Sequence, residues 1–158
     1  MIDWYEFEQI IAKYFESRDY DVELNAKVRG RSGATYEIDV LAVDRNFNEI
    51  RIACQCKAWE KPVDRDHILH WSKVCEDIAA IPAFASTSGY TNSALAIARY
   101  FNFILLTYQD GSLIRLTAHG EIIERIERSP EEVEKVEEAE RVAREILKKF
   151  KKLIEDTW

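Results

Sequence analysis

Residues 37–57 read EIDVLAVDRNFNEIRIACQCK, and this stretch decides the fold of the chain. Two apolar runs, over 36–43 and 50–57, flank the polar turn 44–49, which predicts an antiparallel hairpin of buried strands. Polar side chains nevertheless stand inside these apolar runs, at Glu37, Asp39, Gln55 and Lys57. Because burying such groups without partners is costly, the hairpin is the first candidate for a functional site.

The alternation of side chains across a strand divides this hairpin into two faces. We expect Glu37 and Asp39 on one face, and Ile38 and Val40 on the other. Gln55 and Lys57 are likewise expected on a shared face of the second strand. If the strands pair in that register, a carboxylate, an amide carbonyl and an ammonium converge at one end of the sheet. The residues alone leave an alternative open, in which these groups face solvent or form only an ion pair.

The segments around the hairpin predict a mixed α/β domain. Apolar residues at helical spacing predict a first helix over 4–17, and alternation predicts a strand over 20–28. The later predicted elements are helix 64–80, strand 82–86, a helix that ends at 100, strand 102–108, and short strands near 113–117 and 121–126. The fold class is therefore α/β, with a central mixed sheet and a small added hairpin.

The C-terminal residues have a different character. Residues 129–158 read SPEEVEKVEEAERVAREILKKFKKLIEDTW, which predicts a long amphipathic helix capped by Ser129. We therefore divide the chain into a domain over 1–128 and a C-terminal helix over 129–158. Two interpretations of this helix stay open: it packs on the domain as a terminal helix, or it binds a partner or a second copy of the chain.

Composition limits the classes of function. The chain has 158 residues and a net charge of −7, which argues against nucleic-acid binding through a broad basic surface but does not exclude a local basic patch. No apolar run is long enough to span a membrane, and the N-terminal stretch MIDWYEFEQI lacks the positive charge of a signal peptide. We therefore expect a cytoplasmic protein with no membrane partner. Three cysteines form neither a disulfide framework nor a zinc motif.

Several short motifs occur in a fixed order along the chain. They are Phe7-Glu8, Asp39, Gln55-Cys56-Lys57, Lys61-Pro62-Val63 and Thr87-Ser88-Gly89-Tyr90-Thr91. Together they resemble the restriction-endonuclease-like superfamily of PD-(D/E)XK nucleases, and within it the Mrr-type branch, whose motif is QXK. The resemblance covers about residues 4–107. It implies a restriction-endonuclease-like core of helix, three strands, helix, strand, helix and strand.

The resemblance also implies a function and a site. It implies a metal-dependent endonuclease of the restriction or repair type, which hydrolyses DNA phosphodiester bonds. Mg²⁺ or Mn²⁺ would be bound by the Asp39 carboxylate, the side-chain carbonyl of Gln55 and the backbone carbonyl of Cys56. Lys57 would orient the attacking water or help to deprotonate it. Glu8 would approach from the first helix.

Other residues and other functions stay open beside that reading. Glu37 is a candidate second acid, and the alternative is a surface or salt-bridging residue. Lys27, Arg29 and Arg31 are candidates to bind the DNA backbone, and the alternative is a solvated loop. A homodimer is expected, because cutting two strands usually takes two sites. The alternative functions are a catalytically inactive member of the fold that binds DNA or protein, and an RNA-processing nuclease.

Overall fold

The computed structural model describes residues 2–116, 121–126 and 130–157, and within the last range the side chains of 138–155. The elements follow the predicted order. They are α1 (Trp4–Glu16), β1 (Tyr20–Arg29), β2 (Thr35–Asp44), β3 (Arg51–Lys57), α2 (Arg65–Asp77), β4 (Ile81–Ser86), α3 (Asn92–Tyr100), β5 (Ile104–Gln109), β6 (Ser112–Leu116), β7 (Ile122–Ile126) and α4 (Pro130–Thr157). The predicted end of a strand at 117 and the predicted helix cap at Ser129 lie outside the described residues.

The seven strands form one mixed sheet, in which strand order follows chain order from β1 to β7. β1, β2 and β3 pair antiparallel, and β3, β4 and β5 pair parallel through crossovers that carry α2 and α3. β6 and β7 continue the sheet antiparallel beyond β5, so the predicted added hairpin extends the same sheet. The predicted α/β class with a mixed central sheet is confirmed.

Each face of the sheet buries its own apolar layer. On one face, Phe7 and Ile11 of α1 pack with Val40 and Cys54 of the sheet. On the other face, side chains of α2 and α3 pack with the sheet, and Trp71 Nε1 donates a hydrogen bond to the carbonyl of Ala53 at 3.0 Å. Amphipathic helices on both faces explain why strands at the centre are apolar on both sides.

Helix α2 is shorter than predicted: it ends at Asp77 rather than at residue 80. Ala79 adopts a left-handed conformation with φ of 55°. The N–H groups of Ala79 and Ala80 then donate to the carbonyls of Glu76 and Cys75, at 3.2 and 2.9 Å. This is the helix-ending motif that glycine usually makes. The apolar period continues through the cap to residue 80, which is why the sequence overestimates the helix.

The predicted division of β2 into two faces is wrong at one point. Ile38 packs in the layer of α2 and α3, whereas Val40 packs in the layer of α1. β1 makes the same change of face between Leu24 and Ala26, although the two strands keep one register, with Leu24 opposite Val40 and Ala26 opposite Ile38. Asn25 lies between them with φ of 51°, so one left-handed residue reverses the alternation of side chains.

The loop after β1 is held against the C-terminal end of α2 by the Asp77 carboxylate. Ser32 donates to this carboxylate from its backbone N–H at 2.8 Å and from its hydroxyl at 2.5 Å. The hydroxyl of Tyr36 donates to it at 2.8 Å. A Cβ at Gly30 would overlap the same carboxylate, so a larger residue there would displace Asp77 from the loop. We call Ser32, Tyr36 and Asp77 the loop anchor.

The chain forms two compact units, Met1–Ile126 and Glu127–Trp158. The first contains the sheet with α1, α2 and α3, and the second contains α4. The finer boundary between 128 and 129 stays a prediction, because it falls outside the described residues. Within the described residues, no helix has the length and apolar character that crossing a membrane requires.

Candidate active site

The candidate site lies where β2 and β3 separate. Val40 and Cys54 form the last pair of their antiparallel ladder at this end. One residue earlier in β2, the carboxylate of Asp39 accepts a hydrogen bond from the backbone N–H of Cys56 at 2.9 Å. Because the strands separate here, the Cys56 N–H has no partner in β2, and it bonds the Asp39 carboxylate instead. This hydrogen bond fixes the half-buried carboxylate beside β3.

Helix α1 brings a second carboxylate to this place. Glu8 is 5% exposed, and its Oε2 atom has no hydrogen-bond partner among the described residues. Burial raises the pKa of Glu8, and the negative charge of Asp39 raises that pKa further. Such a buried acid is costly for the fold, because neighbouring acids and desolvation both disfavour its charged form.

The electrostatics of Asp39 follow from the same surroundings. Burial raises the pKa of Asp39, whereas the hydrogen bond from Cys56 and the nearby charge of Lys57 act in the opposite direction. Glu37 adds a smaller effect that raises this pKa. The charges of Asp39 and Lys57 are therefore close enough to act on each other, and the two glutamates make the cluster more negative. A cation is the ligand that this arrangement favours.

Lys57 and Trp59 form a second part of the site. The Lys57 Nζ atom lies 4.7 Å from the centre of the Trp59 ring, and Trp59 is 39% exposed. The edge of Trp59 meets the His67 ring at 4.9 Å, and His67 Nδ1 lies 2.7 Å from Asp64 Oδ1. This indole therefore limits where the ammonium can lie, and it is itself supported by α2.

The turn after β4 holds the chain that follows the QXK motif. The N–H of Thr87 donates to the Lys57 carbonyl at 3.1 Å, and its hydroxyl donates to the Trp59 carbonyl at the same distance. The hydroxyl of Ser88 donates to the Lys61 carbonyl at 2.5 Å. The turn thus positions the backbone on both sides of Trp59. Within the described contacts, these hydroxyls serve the protein backbone.

Gln55 and Cys56 contribute oxygen atoms rather than charge. Gln55 Oε1 is buried and has no hydrogen-bond partner within the described part of the chain. Burial and the nearby Cys54 and Asp39 raise the pKa of the Cys56 thiol well above its usual value. Because its sulfur stays protonated, the backbone carbonyl of Cys56 is the group that suits a hard cation.

Asn25 belongs to this cluster, although no sequence motif marks it. Its side-chain amide lies near the Glu8 carboxyl and lowers the pKa of that group. It reaches this position because its left-handed backbone reverses the strand faces beside Asp39. An asparagine in an otherwise alternating strand was the available signal, since asparagine tolerates this conformation better than most residues do.

The predicted DNA-binding residues lie at the exposed end of β1 and in its loop. Lys27 pairs with Glu37 across the hairpin, so it stands beside the acid cluster. Arg29 is exposed at the end of β1. Arg31 is also exposed, but its guanidinium donates to the Glu76 carbonyl at 2.6 Å. Lys27 is thus the cation of this group that the hairpin register itself brings to the site.

Whether the cluster suits a metal ion depends on whether amide and backbone oxygens are counted with the acidic side chains. Among the residues that the structure describes, no three His, Cys, Asp or Glu side chains come together closely enough to hold a metal ion. The unpartnered Gln55 Oε1 is an additional buried acceptor, and an amide and a backbone carbonyl can supply what a third acid would supply elsewhere. Asp39, Gln55 and the carbonyl of Cys56 are therefore a donor set suited to Mg²⁺ or Mn²⁺.

The sheet order, the flanking helices and the acid cluster beside a lysine define a domain of the restriction-endonuclease-like class. The family model Mrr_cat, described as Restriction endonuclease, matches residues 1–116. The match covers more than half of the chain, so the chain belongs to this family. Membership confirms the predicted resemblance and supports a nuclease of the restriction or repair type.

Two solved structures show the same fold. A protein of unknown function is similar with a TM-score of 0.57 and 19% identity, over 68% of this chain and 61% of that one. A repair endonuclease from Pyrococcus abyssi is similar with a TM-score of 0.50 and 9% identity, over 69% of this chain and 48% of that one. The chain thus spans about half to three fifths of these proteins. The comparison with curated proteins gave no match.

Proposed function

We propose that the protein is an endonuclease that depends on a divalent metal ion and hydrolyses DNA phosphodiester bonds. The observation that carries this proposal is the Asp39 carboxylate, held by the Cys56 N–H and lying within the field of Lys57 and the buried Glu8. A nearby lysine lowers the cost of holding negative charge at the site. It also supplies a positive group for the phosphate.

The residues divide the chemistry between them. The Lys57 ammonium contacts a non-bridging phosphate oxygen and the attacking water, and its direction is restricted by Trp59. Glu8 accepts a hydrogen bond from that water or from a water that bridges to Asp39. The water oxygen bonds to phosphorus as the bond from phosphorus to the leaving sugar oxygen breaks. One proton is released from the water, and one is taken up by the leaving oxygen.

A divalent ion completes this scheme. Asp39, Gln55 and the Cys56 carbonyl would hold Mg²⁺ or Mn²⁺, with Glu37 as a second acid at the exposed edge of the hairpin. When bound, the ion supplies Lewis acidity that stabilises negative charge on the phosphate and lowers the pKa of a bound water. The buried acceptor atoms of Glu8 and Gln55 support this assignment.

The proposed substrate and assembly extend beyond the acid cluster. Lys27, Arg29 and Arg31 would contact the DNA backbone next to the site, which offsets the net charge of −7 locally. The protein would act as a homodimer, because two sites are needed to cut both strands without rebinding. A cytoplasmic location stays a prediction of the sequence.

The test is a nicking assay on supercoiled plasmid with Mg²⁺, Mn²⁺ or EDTA, for the wild type and Asp39→Asn. The asparagine keeps the shape and the acceptor for the Cys56 N–H but removes the charge. We expect cutting that requires a metal ion, and a loss of about a hundredfold or more in the variant. Asp21→Asn is the matched control, since Asp21 is exposed on β1 and binds Arg45 on the surface.

The outcomes separate the proposed function from its alternatives. Equal cutting by the wild type and Asp39→Asn would contradict the assignment of Asp39. The absence of cutting in any metal ion, together with binding of the plasmid, would identify a binding module on the nuclease fold. A parallel assay with single-stranded and structured RNA, at equal nucleotide concentration, would identify an RNA-processing enzyme if RNA were cut faster than DNA.

A further inference from the structure

Helix α4 presents apolar side chains to solvent along its described length. Val142, Ile146, Leu147 and Phe150 are between 43 and 65% exposed. Ala139, Ala143, Ile146 and Phe150 are spaced by four, three and four residues, which is the heptad spacing of a helix that packs along another helix. We call these four residues the helix seam. Helices with such a seam are stabilised by a partner rather than by water.

The two halves of α4 carry opposite charge. Residues 131–141 contain six acidic and two basic side chains, whereas residues 144–152 contain five basic and one acidic. A parallel pair of such helices would set acidic half against acidic half. An antiparallel pair would set each acidic half against a basic half. The charge pattern therefore favours an antiparallel partner with the same distribution of charge.

We propose that α4 is the surface through which two copies of this chain associate, as an antiparallel pair of helices. A second copy fits because it carries the complementary charge in reverse order. It also carries the same seam in reverse order. A helix of 28 residues is about 42 Å long, which is long enough for several layers of contact.

The sizes of the seam residues select one register. The N-terminal half of the seam is small, with Ala139 and Ala143, and the C-terminal half is large, with Ile146 and Phe150. An antiparallel register that places Ala139 opposite Phe150 also places Ala143 opposite Ile146. Twofold symmetry repeats both layers, so each small residue meets a large one. A parallel pair in register would instead place alanine against alanine and phenylalanine against phenylalanine.

This association supplies a surface for the homodimer of the proposed function, but it does not rest on nuclease activity. Nicking one strand of a plasmid requires only one site. The oligomeric state can therefore be measured whether or not the protein cuts DNA, and a failure of either proposal is seen separately.

The first experiment measures the molar mass of the full chain in solution over a series of concentrations, by sedimentation equilibrium. We expect a monomer–dimer equilibrium for the wild type. The double variant Ile146→Ser with Phe150→Ser should shift dissociation to at least tenfold higher concentration. The matched control is Lys148→Ser with Glu155→Ser, which introduces two serines on the opposite side of α4 without changing the net charge. This control should dimerise as the wild type does.

The second experiment determines the orientation of the pair by disulfide cross-linking. Ala139→Cys mixed with Phe150→Cys should give a cross-linked heterodimer after oxidation, whereas Ala139→Cys alone should not cross-link to itself. The wild type is the control for the native thiols, of which Cys54 and Cys75 are buried.

Three results would overturn the proposal. The first is a monomer at every concentration, which would show that two copies do not associate through the helix seam. The second is a dimer that the seam variant does not weaken, which would place the interface elsewhere. The third is self-cross-linking of Ala139→Cys without heterodimer formation, which would show a parallel pair. Far-ultraviolet circular dichroism of the seam variant checks that α4 is still helical.

Discussion

Asp39 and Asp77 are two carboxylates on the same unit, and their surroundings act on them in opposite ways. The Asp77 carboxylate accepts hydrogen bonds from Ser32 and Tyr36, which lower its pKa. The Asp39 carboxylate accepts one backbone hydrogen bond, and burial raises its pKa. The folded chain therefore favours the charged form of Asp77, relative to water, and disfavours the charged form of Asp39.

This difference separates a structural carboxylate from the one that we propose for chemistry. Asp77 uses its oxygens to hold the loop anchor on the end of α2. Asp39 lies beside Glu8 and Gln55, each of which has a buried oxygen without a partner in the described part of the chain. Buried acceptors without partners, next to a carboxylate whose charged form is disfavoured, lower the stability of the fold. A bound cation would raise that stability again. Substitutions near Asp39 and at Asp77 test this difference.

The largest effect is expected for Lys57→Met, which removes an ammonium whose charge lowers the pKa of Asp39. Nicking should fall by about a hundredfold or more, because in the proposed mechanism the ammonium stabilises the charge that develops on the phosphate. Initial nicking rates in Mg²⁺ measure this loss. Lys61→Met is the matched control, since Lys61 is exposed four residues later. Equal losses in both variants would assign the effect to surface charge rather than to the site.

A smaller effect is expected at Asn25, where backbone and side chain can be separated. Asn25→Gly keeps the left-handed conformation and removes the amide that lies near Glu8, whereas Asn25→Ala also strains the backbone. We expect Asn25→Ala to be less stable than Asn25→Gly by about 1 kcal/mol, measured by urea unfolding. Both variants should lose activity to a similar extent per folded molecule. Full activity in Asn25→Gly would show that only the reversal of the strand faces matters.

The hairpin shows how much of the fold the sequence predicts. Alternating apolar residues and the polar turn 44–49 predict two antiparallel strands, and β2 and β3 form them. The same rule assigns Ile38 and Val40 to one face, and this is wrong. The rule assumes that every residue has extended backbone, and Asn25 in the neighbouring strand does not. In both strands the change of layer falls between the pairs Leu24–Val40 and Ala26–Ile38, which form only after folding.

The candidate site was predictable only in its motif residues. Asp39 and Lys57 were identified together, because the QXK motif follows a strand that carries an acid, and the structure brings their charges close. The loop anchor has no comparable signal, since Asp77 is separated from Ser32 by 45 residues. An aspartate at the end of a helix and a serine in a loop are both common on solvated surfaces. Only the sheet topology shows that they meet.

Asp77→Asn tests the structural carboxylate through the pH dependence of stability. The pKa of Asp77 is lowered in the folded chain, so its contribution is complete above the ordinary pKa of about 3.9 and is lost as pH falls through the lowered folded value. The wild type should therefore be more stable than the variant near neutral pH, and the difference should shrink toward about pH 3. Urea unfolding at several pH values measures it. Glu76→Gln, an exposed neighbour on α2, is the control, and a difference that stays constant with pH would contradict the assignment.

The smallest effect is expected at Trp59, whose ring contacts the Lys57 ammonium. Trp59→Leu removes the ring that lies 4.7 Å from the Lys57 Nζ atom, whereas Trp59→Phe keeps a weaker aromatic face. A cation–π contact at a partly exposed site contributes about 0.5–1 kcal/mol, so nicking should slow roughly two- to fivefold in the leucine variant and less in the phenylalanine variant. Trp4→Leu, at a tryptophan that is 62% exposed, is the control for hydrophobic loss. Single-turnover rates at saturating protein isolate the chemical step from plasmid binding and product release. If the leucine and phenylalanine variants cut equally fast but bind plasmid less tightly, Trp59 contacts DNA directly and does not act through Lys57.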